Sequence, residues 1–221
     1  MGSRIRSRTV IKVNEIFYSI QGESRFNGFP CIFIRLTGCN LRCAYCDTQY
    51  AFKKGRSLPI AKILTTIAPY PCSLVEITGG EPLLQEEMPR LAQKLLEAGY
   101  RVMVETNGSK DIARLPPACN CILDVKTPAS GESEKNFWPN LEQLKHRDEV
   151  KFVLMNYDDY EWAKEIIQKY RLIPRVPVSF TPAHPALSSS ELARWLLEDG
   201  LRVRLQLQLH KVIWPDGKEG I

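Results

Sequence analysis

Apolar positions along this chain recur in two alternating patterns, short β-rich runs and longer stretches with helical spacing. Val13 to Ile20 reads as an extended segment that ends in a Gln21-Gly22 turn. Cys31 to Leu36 (CIFIRL) is an apolar run of strand length. Further strands are predicted at Leu74 to Thr78, Val102 to Thr106, Ile122 to Lys126, Phe152 to Met155 and Val176 to Phe180. Between them, Ile60, Ile63, Leu64 and Ile67 predict a helix whose start is marked by Ser57 and Pro59. Leu84, Met88, Leu91, Leu95 and Ala98 predict a second helix capped by Gly99. Tyr160, Ala163, Ile167 and Tyr170 mark a third. The last opens with a Ser188–Glu191 capping box and stops at Gly200. Leu201 to Ile213 alternates apolar and polar residues and predicts a final strand.

Strand–helix alternation implies a parallel sheet with crossover helices, and such folds carry chemistry at the C-terminal ends of their strands. Eight full units take about 250 residues. A partial (β/α) barrel of about six parallel strands therefore suits 221 residues better, as a single α/β domain over 1–221 with short terminal extensions. The unusual residues fall at the expected ends: a cysteine loop, Gly79-Gly80-Glu81, Glu105-Thr106-Asn107-Gly108, and Asp124 with Lys126-Thr127-Pro128. No internal repeat or low-complexity tract interrupts this pattern.

Composition narrows the compartment and the partners. With 44% apolar and 25% charged residues the chain is not a disordered one. No apolar run reaches a membrane span or a signal peptide, and Arg6 stands where a myristoylation motif needs Ser or Thr. A cytoplasmic location is expected, with no membrane partner. The net charge is +5. Arg4, Arg6 and Arg8 alternate near the start, but a solvated arm explains them, and direct nucleic-acid binding is not expected.

Seven cysteines, three of them clustered, do not form a disulfide framework. Cys39, Cys43 and Cys46 make C-x3-C-x2-C on one short loop. A structural zinc takes four ligands, usually as two separated pairs, and no fourth Cys or His has that spacing. Three thiolates instead suit an iron–sulfur cluster with one iron open to another ligand. Cys31, Cys72, Cys119 and Cys121 read as small buried hydrophobes. His184 and His210 show no sequence partner and read as structural. Tyr45, Trp138 and Trp214 read as packing residues, although Tyr45 could stack on an adenine.

The cysteine triad resembles that of the radical S-adenosylmethionine (SAM) superfamily. Beyond the triad, FYSIQGES, FIRLTGCNLRCAYCDT, ITGGEPLLQ, ETNGS, DVKTPASGE and QLQLHKVIWPDGK, in this order and spanning nearly the whole chain, are similar to the 7-carboxy-7-deazaguanine synthases. The resemblance implies a lyase that turns 6-carboxy-5,6,7,8-tetrahydropterin into 7-carboxy-7-deazaguanine with loss of ammonia, on the way to queuosine. It implies a 4Fe-4S cluster on Cys39, Cys43 and Cys46, SAM, and a magnesium ion. It further implies a reductant protein such as flavodoxin or ferredoxin, and a homodimer. A small glycyl-radical-enzyme activase shares the triad, but lacks the QGES segment. A zinc-binding RNA module lacks its fourth ligand.

By the same resemblance, Thr48 binds magnesium and Gly80 lines the SAM methionine group. Glu105, Asp124, Lys126, Thr127, Pro128 and Thr181 lie toward its ribose and adenine. Many synthases carry Ser-Pro-Lys where this chain has Lys-Thr-Pro, so those contacts are open to rearrangement. Ile20, Gln21, Gly22, Glu23, Arg35, Thr78 and the terminal carboxylate of Ile221 contact the pterin. Physical chemistry offers bland counterparts. Gly-Gly-Glu-Pro also makes a tight turn, Thr48 also caps a turn, and Arg35 also fits an outer face. Asp124 with Lys126 reads equally as an internal ion pair.

Overall fold

The computed structural model describes residues 10–214, so Arg4, Arg6, Arg8 and Ile221 lie outside the described residues. Nine strands form one sheet: β1 (Val10–Ile20), β2 (Pro30–Leu36), β3 (Arg56–Pro59), β4 (Leu74–Gly79), β5 (Arg101–Thr106), β6 (Asn120–Val125), β7 (Glu149–Leu154), β8 (Val178–Pro182) and β9 (Arg204–Leu205). Their order is β3-β1-β2-β4-β5-β6-β7-β8-β9. From β2 through β9 every pairing in that order is parallel, whereas β1 pairs antiparallel with both β2 and β3. The sheet does not close, so the molecule is the expected partial barrel built on six main parallel strands. Helices α1 (Ile60–Ile67), α2 (Met88–Glu97), α3 (Pro139–Gln143), α4 (Tyr157–Lys169), α5 (Leu172–Arg175), α6 (Ser189–Asp199) and α7 (Leu209–Ile213) complete it. Among the described residues no helix is long and apolar enough to cross a membrane.

Alternation along the strands sorts residues onto two faces. Outward positions such as Ile34, Val75, Ile77, Val102, Val104, Leu123, Val150, Phe152 and Phe180 pack under the helices as the main core. Inward positions change character along each strand. At the N-terminal end Phe17, Cys31, Phe33, Leu74, Met103 and Ile122 form a small apolar plug, with the Phe17 and Phe33 rings stacked at 4.9 Å. Toward the C-terminal end the same face carries Arg35, Glu76, Thr78, Glu105, Asp124 and Lys151, with Arg35 in register with Thr78 and Asp124 with Lys151. One sheet face is thus dry at its base and charged at its mouth.

Three of the four cysteines outside the loop pack as expected, and Cys72 is only half-buried against the core. Cys31, Cys119 and Cys121 are buried, all cysteines are free thiols, and burial pushes the Cys119 thiol up to about 12. Trp138 stacks on Tyr170 at 5.6 Å.

Two predicted elements are corrected. The stretch from Leu201 to Ile213 is not one strand: only Arg204–Leu205 pairs, at the sheet edge, and Leu209–Ile213 is a helix. Ser57 does not open α1; it belongs to β3, paired with Lys12, and Pro59 stands at the helix start without a side-chain cap. The outer strands of the sheet are four and two residues long.

Candidate active site

The loop after β2 leaves the sheet at Gly38 and carries all three cysteines of the motif into one cleft of about 940 Å3 at the mouth of the barrel. Its path is fixed by backbone pairs, Glu81 N–H to the Gly38 carbonyl at 2.8 Å and Ala44 N–H to the Ser130 carbonyl at 3.0 Å. Gly80 explains itself here. A Cβ on it would fall on the Gly38 carbonyl and within 2.7 Å of Cys39 Cβ, so the glycine is required by the cysteine loop packed against it. Glu81, fully buried, accepts from Thr106 Oγ1 and from the Leu83 and Asn107 amides, tying the ends of β4 and β5 together.

The donor set fits an iron–sulfur cluster. Cys39 Sγ accepts from the Leu41 amide at 3.4 Å and from Asn107 Nδ2 at 3.6 Å. Burial, then Asp124 and the neighbouring thiols, outweigh Lys126 and push the Cys43 thiol up to about 11, so the loop calls for a cationic group to ionise it. Among the described residues no three His, Cys, Asp or Glu side chains stand close enough to share a single metal ion. One zinc would draw its sulfurs to within ~3.8 Å of each other at the usual Zn–S distance, whereas a cluster spreads its thiolates over separate irons. Beside the cysteines, Tyr45 OH and Asp124 Oδ1 are buried without a hydrogen-bond partner, and both residues line the cleft. That arrangement suits a polar cofactor.

A second cavity of about 460 Å3 adjoins the first and shares Glu23, Thr78 and Glu105 with it. Arg35 lies on the inner face there, with Nε 2.6 Å from Glu15 Oε1 and its guanidinium over the Phe17 and Tyr50 rings. Lys151, from β7, sits at the junction: it meets Glu23 Oε2 at 2.9 Å, contacts Glu105, and approaches Asp124 at 3.8 Å. Burial would raise the Glu23 carboxyl, but Lys151 and His210 outweigh it and hold it at about 2. Glu76, hydrogen-bonded by Gln21 Nε2, is driven the other way, well above the carboxylate range, by burial and by Glu105 and Glu23.

Residues 33–120 match the Radical SAM superfamily. A 7-carboxy-7-deazaguanine synthase from Koribacter versatilis is 44% identical, with the alignment covering 96% of this chain and 100% of the relative. The chain belongs to the 7-carboxy-7-deazaguanine synthase family. A second member, from Chlorobaculum tepidum, is 40% identical over 96% of this chain and 97% of its own length. The crystal structure of QueE from Escherichia coli has the same fold, with a TM-score of 0.77 at 24% identity, covering 94% of this chain and 99% of that one. Membership of this radical SAM family implies a 4Fe-4S cluster and SAM.

Seen as a family member, most residues singled out in the sequence converge. Cys39, Cys43, Cys46, Thr48, Gly80, Asp124 and Lys126 line the larger cavity; Ile20, Gln21, Gly22 and Arg35 line the smaller; Glu23, Thr78 and Glu105 line both. Lys126 and Asp124 are also the ion pair that their sequence spacing allowed, at 2.8 Å. Thr127 and Pro128 line neither cavity. The Thr127 hydroxyl turns into the fold to donate to the Val153 carbonyl at 3.1 Å, and Pro128 is exposed at the start of a short turn. The Thr181 hydroxyl is buried without a partner but also lines neither. Both histidines read as structural border the cavities: His184 the larger, and His210 the smaller, 4.0 Å from Glu23. Lys151, Glu76 and Gln208 were missed. Their one signal is a charged or amide side chain within runs otherwise apolar, LVEIT, EVKFVL and LQLQL.

Proposed function

We propose that this chain is a radical SAM lyase that converts 6-carboxy-5,6,7,8-tetrahydropterin into 7-carboxy-7-deazaguanine with loss of ammonia. The observation that carries it is end-to-end identity with the synthases, joined to a two-chamber barrel mouth whose chambers share Glu23, Thr78 and Glu105. Removing ammonia from the substrate leaves the product's composition, so no net oxidant is consumed. Cys39, Cys43 and Cys46 would hold the cluster, with SAM beside Gly80, Glu105, Asp124 and Lys126. When bound, these cofactors supply one-electron reduction and abstraction of a hydrogen atom from carbon.

The protein's own groups bind and orient. Arg35 offers a planar fork for the pterin carboxylate, backed by Glu15, which fixes its orientation. Backbone groups of Ile20 to Gly22 edge the heterocycle, and ionised Glu23 accepts from its amino groups. Thr48 and substrate oxygens would share a magnesium ion. Thr48 Oγ1 stands 3.1 Å from Asp47 Oδ1, and Lys211, opposing the effect of burial, keeps Asp47 ionised. A protein reductant such as flavodoxin or ferredoxin and a homodimer belong to this reading by family resemblance.

Anaerobic incubation with reductant, SAM, magnesium and the carboxytetrahydropterin tests it. Product should exceed enzyme many-fold, with no stoichiometric build-up of 5′-deoxyadenosine. Build-up without product would sink the reading.

A further inference from the structure

The charged mouth of the barrel holds a lysine that no motif accounts for. Lys151 is the middle inward position of β7, its side chain only 7% exposed. Its ammonium meets carboxylates from three other elements: Glu23 after β1, Glu105 on β5 and Asp124 on β6. A buried ammonium with this many opposed charges is a fixed strut, because breaking one contact leaves a charge uncompensated in a low-dielectric site. Of the three carboxylates, Glu23 is the one on a loop and so the one with conformational freedom to lose. Lys151 holds its Oε2, while Gln208 Nε2 holds Oε1 at 2.9 Å. Both oxygens are therefore aimed, one from the sheet and one from the C-terminal segment.

We propose that Lys151 is a positioning residue for substrate: it fixes the Glu23 carboxylate in the geometry that receives the amino edge of the pterin. This rests on the pterin reading above and extends it to a residue that itself need not touch substrate. A lysine acting through Glu23 leaves a signature that a merely structural lysine does not. Its effect on affinity vanishes once the Glu23 carboxylate is gone.

The test is a double-mutant cycle on the cluster-reconstituted protein, read by anaerobic equilibrium dialysis of 6-carboxy-5,6,7,8-tetrahydropterin with SAM present and reductant omitted, so that nothing turns over. Lys151→Met and Glu23→Gln should each raise Kd about tenfold, and the double variant about tenfold as well. A hundredfold, additive loss in the double variant overturns the proposal, as does an unchanged Kd in Lys151→Met. Where Lys151→Met does not fold, Lys151→Gln enters the same cycle. An unchanged Kd in Glu23→Gln overturns the proposal on its own. Binding by the parent with unaffected variants sinks the roles of Lys151 and Glu23 while the pterin reading stands; no binding by the parent sinks the functional reading and this proposal together.

Discussion

Glu76 is 2% exposed on the inner face of β4, and its contacts are the Gln21 amide and the Glu105 side chain. Burial and the neighbouring carboxylates raise its folded pKa well above the ordinary 4.5, so it keeps its proton to higher pH than an exposed glutamate does. The folded state then binds more protons than the unfolded one above that ordinary value. Stability contributed here is present at low pH and lost as pH rises toward the folded pKa. Glu76→Gln, which keeps a neutral donor and acceptor, removes that loss. Thermal melts should show the variant gaining on the parent between pH 5 and pH 8, by about 2–4 °C for each kcal/mol in a chain of this size. A parallel pair of pH curves would refute the raised pKa. At the same scale, Cys43→Ala should abolish bound iron and its brown absorbance, whereas Cys119→Ala, a change in a packed thiol 3% exposed, should keep both and keep turnover. Iron-loaded Cys43→Ala would refute the ligand assignment. The cysteine loop was legible because three thiols at tight spacing have few other uses. Glu76 and Lys151 were not, since a lone charge within an apolar run acquires meaning only when the topology turns it inward beside other charges.

The six main parallel strands were legible as elements because strands buried on both faces read as continuous apolar runs. The short edges were not. In β3, Arg56–Pro59 has no apolar pattern and is held by backbone pairing to β1, with Leu58 its one side chain against the core. The opposite error occurred after Gly200, where perfect period-two alternation suggested a long strand. After Leu205 one further backbone bond, Gln206 N–H to the Phe180 carbonyl at 2.8 Å, ends the pairing with β8, and the chain turns across the barrel mouth. Helix caps, by contrast, were local enough to read. Ser188 Oγ accepts from the Glu191 amide at 3.2 Å, as the capping box foretold. Ser188→Ala should cost about 1 kcal/mol in denaturant unfolding and leave the Michaelis constants unchanged, since α6 packs behind the sheet. An altered KM would mean that α6 communicates with the mouth.

For the whole molecule, the open barrel poses a problem that hydrogen-bonded strands do not solve: the two flanks of the sheet are not paired to each other. The segment after β9 bridges them. Gln206 Nε2 and the Leu209 amide both donate to the Gly22 carbonyl, at 3.2 and 3.1 Å; Gln208 reaches Glu23; and Lys211 pairs with Asp47 on the cysteine loop at 2.9 Å. The fit at Gly22 is close, since a Cβ there would lie 2.6 Å from His210 Nδ1. This bridge joins the substrate-side turn to the cofactor-side loop, so its strength should appear in ligand affinity more than in global stability. Leu209→Pro isolates one strand of it. Proline is tolerated at the first position of a helix, and the change removes the amide that bonds Gly22 while leaving α7 able to form. Losing one such hydrogen bond is worth about 0.5–1.5 kcal/mol, roughly a two- to twelvefold rise in KM for the pterin. The melting temperature should move little, because the core beneath the helices is untouched. A drop in melting temperature with KM unchanged would show instead that the bridge holds the fold and that the Gly22 turn keeps its geometry without it.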